Sequence, residues 1–314
     1  MLFLEPNLEF LLNAKRILRC FELASGLRIN FHKLCRVRIG KRMGGIEEWS
    51  RRILCKNALL PINYLGLPLG GRPSALAFWK PLLVRIENRL APWKRKFLNK
   101  GGSLVLIKSV LSSIPTYYMS VFKIPVGIAN KIEKFQRSFF WGDGLEKRKM
   151  RLVGWDQMCQ NKKNGGLDIG KVLDKNNSLL AKWIWLFKKE KSSLWKKVLC
   201  VIYKCSTNDL TWDWKDNSPA SNFVEAVQSL LEEGSKSAVI LKDGLKVVVG
   251  SGDRARVWTD AWCDSTPLRY SFPRIYVLSN NKEGAVRDFG KWIGNSWVWD
   301  VRFRRRLFDW ELDQ

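Results

Sequence analysis

Helical periodicity of apolar residues dominates the first two-thirds of the chain. Apolar side chains recur at three- and four-residue spacing over residues 6–24, and this predicts an amphipathic helix. Gly26 follows directly and suits a left-handed C-cap. The next sixty residues after position 78 carry the same periodicity and predict three more helices, over residues 79–97, 101–119 and 124–142.

Each of these three helices has one apolar face. In the first it is formed by Leu82, Leu83, Ile86 and Leu90, and in the third by Ile128, Ile132, Phe135 and Phe139. The second helix is expected to start near Ser103 and to be broken or kinked at Pro115. Further along, one or two helices are predicted over residues 176–203, where Asn176 or Asn177 can serve as N-cap.

Two-residue alternation predicts short strands near both ends of the chain. The apolar or alternating stretches near the start cover residues 1–4, 27–31, 35–40 and 63–71. A second group begins at about residue 236, is joined by DG and GSGD turns, and predicts a small antiparallel β-unit from residues 238–242, 245–250 and 255–260. The last residues, up to 312, are expected to be helical.

The pattern as a whole predicts an α+β fold that is mainly α-helical, with a small antiparallel β-unit near the C-terminus. Shifts in periodicity and composition divide the chain into residues 1–72, 73–150, 151–235 and 236–314. Trp183 and Trp195 are interpreted as core residues, although exposed tryptophans can also stack on nucleobases.

Charge is segregated along the sequence. The net charge is +26, and residues 1–150 hold 28 Lys and Arg against 9 Asp and Glu. Residues 151–200 hold 11 against 4, and residues 201–314 hold 16 against 16. A basic region of this size favours a polyanionic partner, of which nucleic acid is the first candidate and an anionic membrane surface the second. For any single lysine, an ordinary solvated helix face is also an adequate explanation.

Cysteine and histidine usage gives no metal-binding pattern. The seven cysteines are dispersed, and the single histidine, His32, lies far from the closest pair, Cys200 and Cys205. Reduced, buried thiols are therefore expected rather than disulfides or a zinc site. No apolar run has membrane-spanning length and the first residues lack a basic leader, so we expect an intracellular protein, nuclear or cytoplasmic.

An ordered set of motifs resembles the reverse transcriptase of plant LINE-type, non-LTR retrotransposons. The segments are YLGLPLGGRP (64–73), FWKPLLVRIENRLAPWK (78–94), KGGSLVLIKSVLSSIPTYYMS (100–120), FQRSFFWG (135–142), GWDQMCQNKKNGGLDI (154–169) and NSLLAKWIW (177–185). VVVGSGDRARVWTDAW, followed by TPLRYSFPRIY, continues the same order. The resemblance implies a remnant of a polymerase palm in residues 1–72, a helical thumb in 73–150, a helical connector in 151–235 and a small β-rich unit in 236–314.

The resemblance also implies that this chain alone is not a polymerase. The family's polymerases use magnesium held by an aromatic-Ala-Asp-Asp motif, and the sequence contains no adjacent Asp-Asp pair. The stretch MLFL corresponds to the strand that follows this motif, so the chain is expected to begin just after the catalytic aspartates. No Cys/His zinc module or ribonuclease H region is matched at the other end, and no cofactor or metal is expected.

The resemblance implies candidate residues for binding nucleic acid. Lys33 corresponds to a palm lysine near the incoming nucleotide, and an ordinary exposed lysine is the alternative. Tyr64, Leu65 and Gly66 correspond to the segment that supports the primer end, and a tight turn is the alternative. The thumb contacts to phosphate would come from Arg85, Arg89, Lys94, Arg95, Lys96, Lys100, Lys108, Lys131, Lys134 and Arg137.

The expected activity is therefore sequence-independent binding of RNA or an RNA–DNA duplex. Two alternatives stay open. The chain is either a non-catalytic scaffold that binds a protein through its charge-balanced residues 201–314, or the product of a decayed element with no selected function. An active polymerase completed by aspartates from a partner chain is a further, less favoured possibility.

Overall fold

A computed structural model describes residues 2, 4–5, 7–30, 34–37, 49, 55–94, 98–142, 152–190, 192–204, 221–232, 236–245, 247–264 and 266–312. The chain divides into two compact units, Met1–Phe78 and Trp79–Gln314, and each is described by itself. Helices predominate in the described residues and the strands form two-stranded pairs, so the predicted α+β, mainly helical class is confirmed. The finer four-part division of the chain stays a prediction.

The first unit opens with the predicted amphipathic helix. Helix α1 covers Leu8–Ser25, and the side chain of Asn7 caps it by accepting a hydrogen bond of 2.9 Å from the backbone N–H of Glu9. The helix ends at Gly26, whose φ of 70° is left-handed as predicted.

Two strand pairs follow among the residues of this unit that the structure describes. Strand β1 (Cys35–Val37) pairs in parallel with β2 (Lys56–Ala58), and β3 (Ile62–Tyr64) pairs antiparallel with β4 (Leu67–Leu69). The prediction of a strand over 35–40 is confirmed for its first three residues, and the others lie outside the described residues.

The strand predicted over residues 27–31 is wrong for its described part, 27–30, which forms no ladder. The carboxylate of Glu22 accepts a 2.6 Å hydrogen bond from the backbone N–H of Ile29, so a helix side chain binds this N–H in place of a neighbouring strand. Leu2 and Leu4 are likewise not in a strand, whereas Met1 and Phe3 lie outside the described residues.

Among the described residues, the second unit is built mainly from helices, together with a hairpin that we label β5–β6. Helix α2 begins just before the unit and runs into it. The helices are α2 (Leu76–Lys94), α3 (Lys100–Leu106), α4 (Thr116–Met119), α5 (Val126–Trp141), α6 (Trp155–Cys159), α7 (Val172–Lys189), α8 (Leu194–Tyr203), α9 (Asn222–Gln228), α10 (Lys236–Gly244), α11 (Leu268–Ser271), α12 (Pro273–Leu278) and α13 (Asp309–Leu312). Strands β5 (Gly290–Ile293) and β6 (Ser296–Trp299) pair antiparallel near the C-terminus.

The predicted apolar faces of α2 and α5 form the core. Leu82, Leu83, Ile86 and Leu90 of α2 are all buried, as are Ile128, Ile132 and Phe139 of α5, while Phe135 is half-buried. Trp183 and Trp195 pack edge to face, 5.2 Å apart, against a second buried cluster that includes Leu180, Ile184 and Phe187. Their interpretation as core residues is confirmed.

The helix predicted to start near Ser103 differs from the expectation at both ends. It starts at Lys100, because Asn99 caps it by accepting from the backbone N–H of Gly102 at 2.6 Å. It then widens into a π-helix over Ile107–Leu111, before Pro115 is reached. The ammonium of Lys175 donates to the carbonyl oxygen of Ser112 at 2.6 Å, so a side chain satisfies the backbone where the helix ends.

Asn176 is not an N-cap, because α7 begins four residues earlier. It is 1% exposed and lies inside the helix. Its Oδ1 accepts from the backbone N–H of Ile124 at 2.9 Å, and its Nδ2 donates to the carbonyl oxygens of Met119 at 2.7 Å and Phe122 at 2.9 Å. One amide side chain therefore fixes the connection between α4 and α5 against α7.

The antiparallel unit lies further along the chain than predicted. Residues 238–242 belong to α10, where Ala238 is buried while Val239 and Ile240 are 58% and 71% exposed. That burial follows helical rather than alternating spacing. Of residues 245 and 247–260, which the structure describes, Arg256 forms an isolated bridge with Ala285, whereas the regular hairpin is β5–β6.

An ion pair closes the C-terminal part of the fold. Both carboxylate oxygens of Glu311 accept from the Arg305 guanidinium at 2.8 Å, and the backbone N–H of Phe308 donates to Oε2 at 2.9 Å. The Glu311 side chain has no exposed area. The hydrogen bonds from Arg305 hold the pKa of Glu311 below its ordinary value.

Candidate nucleic-acid interface

Four of the predicted phosphate contacts are exposed on α2 and α5. Arg85 and Arg89 on α2, and Lys131 and Lys134 on α5, are exposed and lie outside the buried apolar face of their helix. None of these four residues, which we call the helical cations, forms an ion pair with a carboxylate among the described residues. Their charge is therefore available to a ligand.

The acidic residue of α5 is used elsewhere. Glu133 lies between Lys131 and Lys134 in sequence, but its carboxylate accepts a 3.0 Å hydrogen bond from the backbone N–H of Val172 at the start of α7. An acidic side chain at a helix N-terminus is favourable because it meets the positive end of the helix dipole. The exposed face of α5 is thereby left with positive charge.

Aromatic contacts hold the arginine-bearing helix against its neighbours. The Arg89 guanidinium lies 5.9 Å from the ring of Trp93, and that ring lies 5.9 Å from the ring of Phe139 on α5. Burial raises the pKa of Tyr118, and the nearby Arg85 guanidinium opposes the rise. The helical cations thus stand on rigid, packed elements.

Two other residues predicted to contact phosphate, Lys100 and Lys108, have partners within the fold. The Lys100 ammonium donates to the carbonyl oxygen of Phe140 at 2.7 Å and lies 5.1 Å from the rings of Phe140 and Trp141, at the C-terminus of α5. The Lys108 ammonium lies 4.0 Å from the Asp168 carboxylate. These contacts give Lys100 and Lys108 a role in the fold, and their part in phosphate binding stays a prediction.

Arg137 is half-buried, with its guanidinium 5.7 Å from the ring of Trp155. It therefore supports the packing of α5 on α6. The side chain of Lys94 and all of Arg95, Lys96 and Lys33 lie outside the described residues.

The predicted primer-supporting residues form a hairpin turn in the first unit. Tyr64 pairs with Leu67, and the two residues between them, Leu65 and Gly66, have φ values of 51° and 84°. Positive φ at both central positions defines a type I′ turn. Leu65 is 75% exposed and Tyr64 is 40% exposed, so the turn presents apolar side chains to solvent. A tight turn accounts for Gly66, and the binding role of these residues stays a prediction.

Two cations that the sequence did not single out hold the C-terminus of α7. Lys196 is fully buried and donates to the carbonyl oxygen of Phe187 at 2.7 Å and to that of Glu190 at 3.3 Å. Arg254 donates to the carbonyl oxygens of Lys188 and Lys189. Cations are favourable at this end of a helix. Nothing in the sequence distinguishes these side chains from the surface lysines around them.

A small cavity lies where α4 and the segment before it meet α5 and the start of α7. It has a volume of about 30 Å³ and is lined by Gln136, Lys171 and Lys175, among others. Oε1 of Gln136 is buried without a hydrogen-bond partner, and burial lowers the pKa of Lys175. A cavity of this size has room for one or two water molecules and not for a nucleotide.

The motif GWDQMCQNKKNGGLDI folds into a closed loop. The backbone N–H of Leu167 donates to the Met158 carbonyl at 2.9 Å, and that of Asp168 donates to the Gln160 carbonyl at 2.8 Å. Gly166 is packed so closely against the carbonyls of Gln157 and Gln160 that no side chain fits there. Gly166 therefore has a structural function.

Two further properties follow from the described residues alone. They contain no group of three or more His, Cys, Asp or Glu side chains arranged to hold a metal ion. Among them, none of the helices combines the length and apolar character needed to cross a membrane.

Comparison with known proteins shows similarity to two proteins of Arabidopsis thaliana. The chain is 34% identical over 188 residues to "Putative ribonuclease H protein At1g65750", a match that covers 60% of this chain and 29% of that relative. It is 26% identical over 163 residues to "Uncharacterized mitochondrial protein AtMg00310", covering 50% of this chain and 97% of that relative. No known family profile matches the chain. The chain thus matches less than a third of the length of the first relative, the putative ribonuclease H protein.

Proposed function

We propose that the chain is the nucleic-acid-binding part of a plant retrotransposon protein of the reverse transcriptase type. It would bind RNA or an RNA–DNA duplex without sequence preference, through the phosphates. The similarity to a protein named "Putative ribonuclease H protein At1g65750" supports a transposon-related origin. The resemblance to LINE-type reverse transcriptases over the ordered motifs supports the polymerase type.

The observation that carries the proposal is the arrangement of the helical cations. Arg85, Arg89, Lys131 and Lys134 are exposed on packed helices and have no ion-pair partners among the described residues. Phosphate oxygens supply the missing negative charge, and each neutralised phosphate releases condensed counterions. Binding of this kind is independent of base sequence and strongly dependent on salt.

The same proposal holds that the chain by itself does not synthesise DNA. Nucleotidyl transfer uses metal ions held by clustered carboxylates, and the sequence has no adjacent Asp-Asp pair. With magnesium and a primed RNA template, we expect no incorporation of labelled deoxynucleotides. Incorporation above that of a buffer control would contradict this part of the proposal.

Salt titration of binding tests the role of the helical cations. Affinity for a fluorescein-labelled RNA–DNA hybrid is measured across salt concentrations for the parent chain and for the double variant Lys131→Gln/Lys134→Gln. If both lysines contact phosphate, the slope of log affinity against log salt becomes shallower by about 2. The variant Arg85→Gln/Arg89→Gln is expected to act similarly.

The matched control is Lys182→Gln/Lys197→Gln, which removes the same charge from exposed lysines of α7 and α8. This variant should keep the slope within about half a unit of the parent. Equal slopes for the parent and the Lys131→Gln/Lys134→Gln variant would overturn the assignment of the helical cations.

A further inference from the structure

The β5–β6 hairpin carries three tryptophans on one face. Gly290 is paired with Trp299, and Trp292 is paired with Trp297. Paired residues of an antiparallel ladder lie on the same face, and so do residues two apart along a strand. Trp292, Trp297 and Trp299 therefore share a face.

These rings form a continuous row that is anchored in the core. Ring centroids are 5.7 Å apart between Trp292 and Trp297, 5.8 Å between Trp297 and Trp299, and 5.9 Å between Trp299 and Trp262. The indole N–H of Trp262 donates to the carbonyl oxygen of Val257 at 2.9 Å, next to the buried cluster of Val257, Trp258 and Phe289. The row is thus held in place before any ligand arrives.

Gly290 supplies the space that the row needs. A Cβ atom built at this position would lie 2.7 Å from ring carbons of Trp297 and 2.6 Å from the carbonyl oxygen of Val298. The backbone at Gly290 is fully extended, so any residue could adopt its conformation. What the glycine provides is room for the Trp297 ring to lie across the strand.

The outer members of the row are unusually exposed. Trp292 is 68% exposed and Trp299 is 49% exposed. Tryptophan offers a large flat face, and leaving such faces in water gives up the burial energy that they could provide. An exposed row of aromatic rings of this kind is typical of an interaction surface.

Local charge indicates what occupies this surface. Residues 282–306 hold 7 Lys and Arg against 3 Asp and Glu, although residues 201–314 as a whole are neutral. Arg287 and Arg302 are exposed and paired with Asp253 and Asp300, whereas Arg304 has no ion-pair partner in the part of the chain that the structure describes. Lys291 alternates with Trp292 along β5 and is therefore on the opposite face of the hairpin. Aromatic faces combined with local positive charge match a ligand that has both flat rings and negative charge.

We propose that Trp292 and Trp299 form a stacking platform for single-stranded nucleic acid. Unpaired bases lie on the two exposed indole faces, and the excess positive charge of residues 282–306 attracts the phosphates. A duplex cannot use the platform, because its base faces are already covered by stacking within the helix. This surface is separate from the helical cations, and it can exist whether or not those residues bind duplex.

The test compares single-stranded and duplex affinity in the full-length chain. Fluorescein-labelled 12-nucleotide oligomers of mixed sequence, as single-stranded RNA, single-stranded DNA and RNA–DNA hybrid, are titrated by anisotropy at one salt concentration. We expect Trp292→Leu and Trp299→Leu each to weaken single-stranded binding by about 5- to 100-fold while leaving hybrid binding unchanged. Leucine keeps apolar surface but lacks a π face. Trp292→Phe and Trp299→Phe should restore most of the affinity.

Trp185→Leu is the matched control, because Trp185 is 45% exposed and has the Lys189 ammonium 4.6 Å from its ring, but forms no row with other tryptophans among the described residues. It should leave all three affinities unchanged. Far-UV circular dichroism verifies that each variant is folded.

Three outcomes would overturn the platform: unchanged single-stranded binding in the leucine variants, an equal loss for single strand and hybrid, or self-association of the parent that the leucine variants abolish. The last would identify the hairpin as a contact between copies. Loss of hybrid binding in the helical-cation variants alone would leave the platform standing, so the two proposals fail independently.

Discussion

Asn176 is the residue whose substitution tests the fold most directly. Its buried amide makes one hydrogen bond to the backbone N–H of Ile124 and two to the carbonyl oxygens of Met119 and Phe122. Asn176→Ala deprives those three backbone groups of this partner in a site that is 1% exposed. A buried polar group left unsatisfied costs about 1–3 kcal/mol, so we expect the free energy of unfolding to fall by about 3–5 kcal/mol.

Urea denaturation followed by far-UV circular dichroism and by tryptophan fluorescence measures this loss. Ser178→Ala is the control on the same helix, because its exposed hydroxyl donates only to the Asp174 carbonyl one turn away. This control should change stability by less than about 0.5 kcal/mol. A loss below about 1 kcal/mol in Asn176→Ala would refute the idea that the amide holds the α4–α5 connection.

Asn176→Asp separates hydrogen bonding from size. The introduced carboxylate can still accept from Ile124, but it faces two carbonyl oxygens without a proton to donate. Near neutral pH it should therefore be at least as destabilising as Asn176→Ala. As the pH falls and the carboxyl becomes protonated, it regains a donor, and the difference in stability from the parent should shrink. A difference that does not change with pH would contradict this account.

Three further predictions concern other parts of the chain. Gly166→Ala should destabilise strongly or prevent folding, because its Cβ overlaps the Gln160 carbonyl, whereas Gly165→Ala, with open space and a φ of 77°, should cost about 1 kcal/mol in urea denaturation. The pKa of Glu311 is lowered in the folded state, so its ion pair stabilises the protein at pH values above the ordinary pKa of glutamate. This stabilisation is lost as the pH falls through the lowered pKa. When unfolding is measured across an acid titration, Glu311→Gln should be less stable than the parent near neutral pH, and the difference in stability should narrow in acid. Burial raises the pKa of Cys159 to about 11, so at pH 8 its thiol should be alkylated by iodoacetamide far more slowly than the exposed thiol of Cys20. Peptide mass spectrometry measures both rates, and similar rates would contradict the partial burial of Cys159.

The sequence alone determined helices α2 and α5 and the faces that they bury. In α2 and α5 the apolar residues recur with the helical period, and nearly all of those predicted to face inward are buried. Gly26 could be recognised as a C-cap because it directly follows an apolar helical run, and glycine readily adopts the left-handed conformation in which many helices end. Local geometry is encoded locally, so these features need no knowledge of the fold.

What the sequence could not determine is which polar and aromatic side chains meet across long distances in the chain. Asn176 has the composition of a cap and Lys100 that of a phosphate contact, yet both bind backbone groups about forty or more residues away. Trp292 and Trp183 are both tryptophans, but Trp292 stands on an exposed hairpin whereas Trp183 packs against a buried cluster. A hydrogen bond or a ring contact depends on atoms that only the tertiary fold brings together, and the fold therefore decided which cations and which tryptophans face solvent.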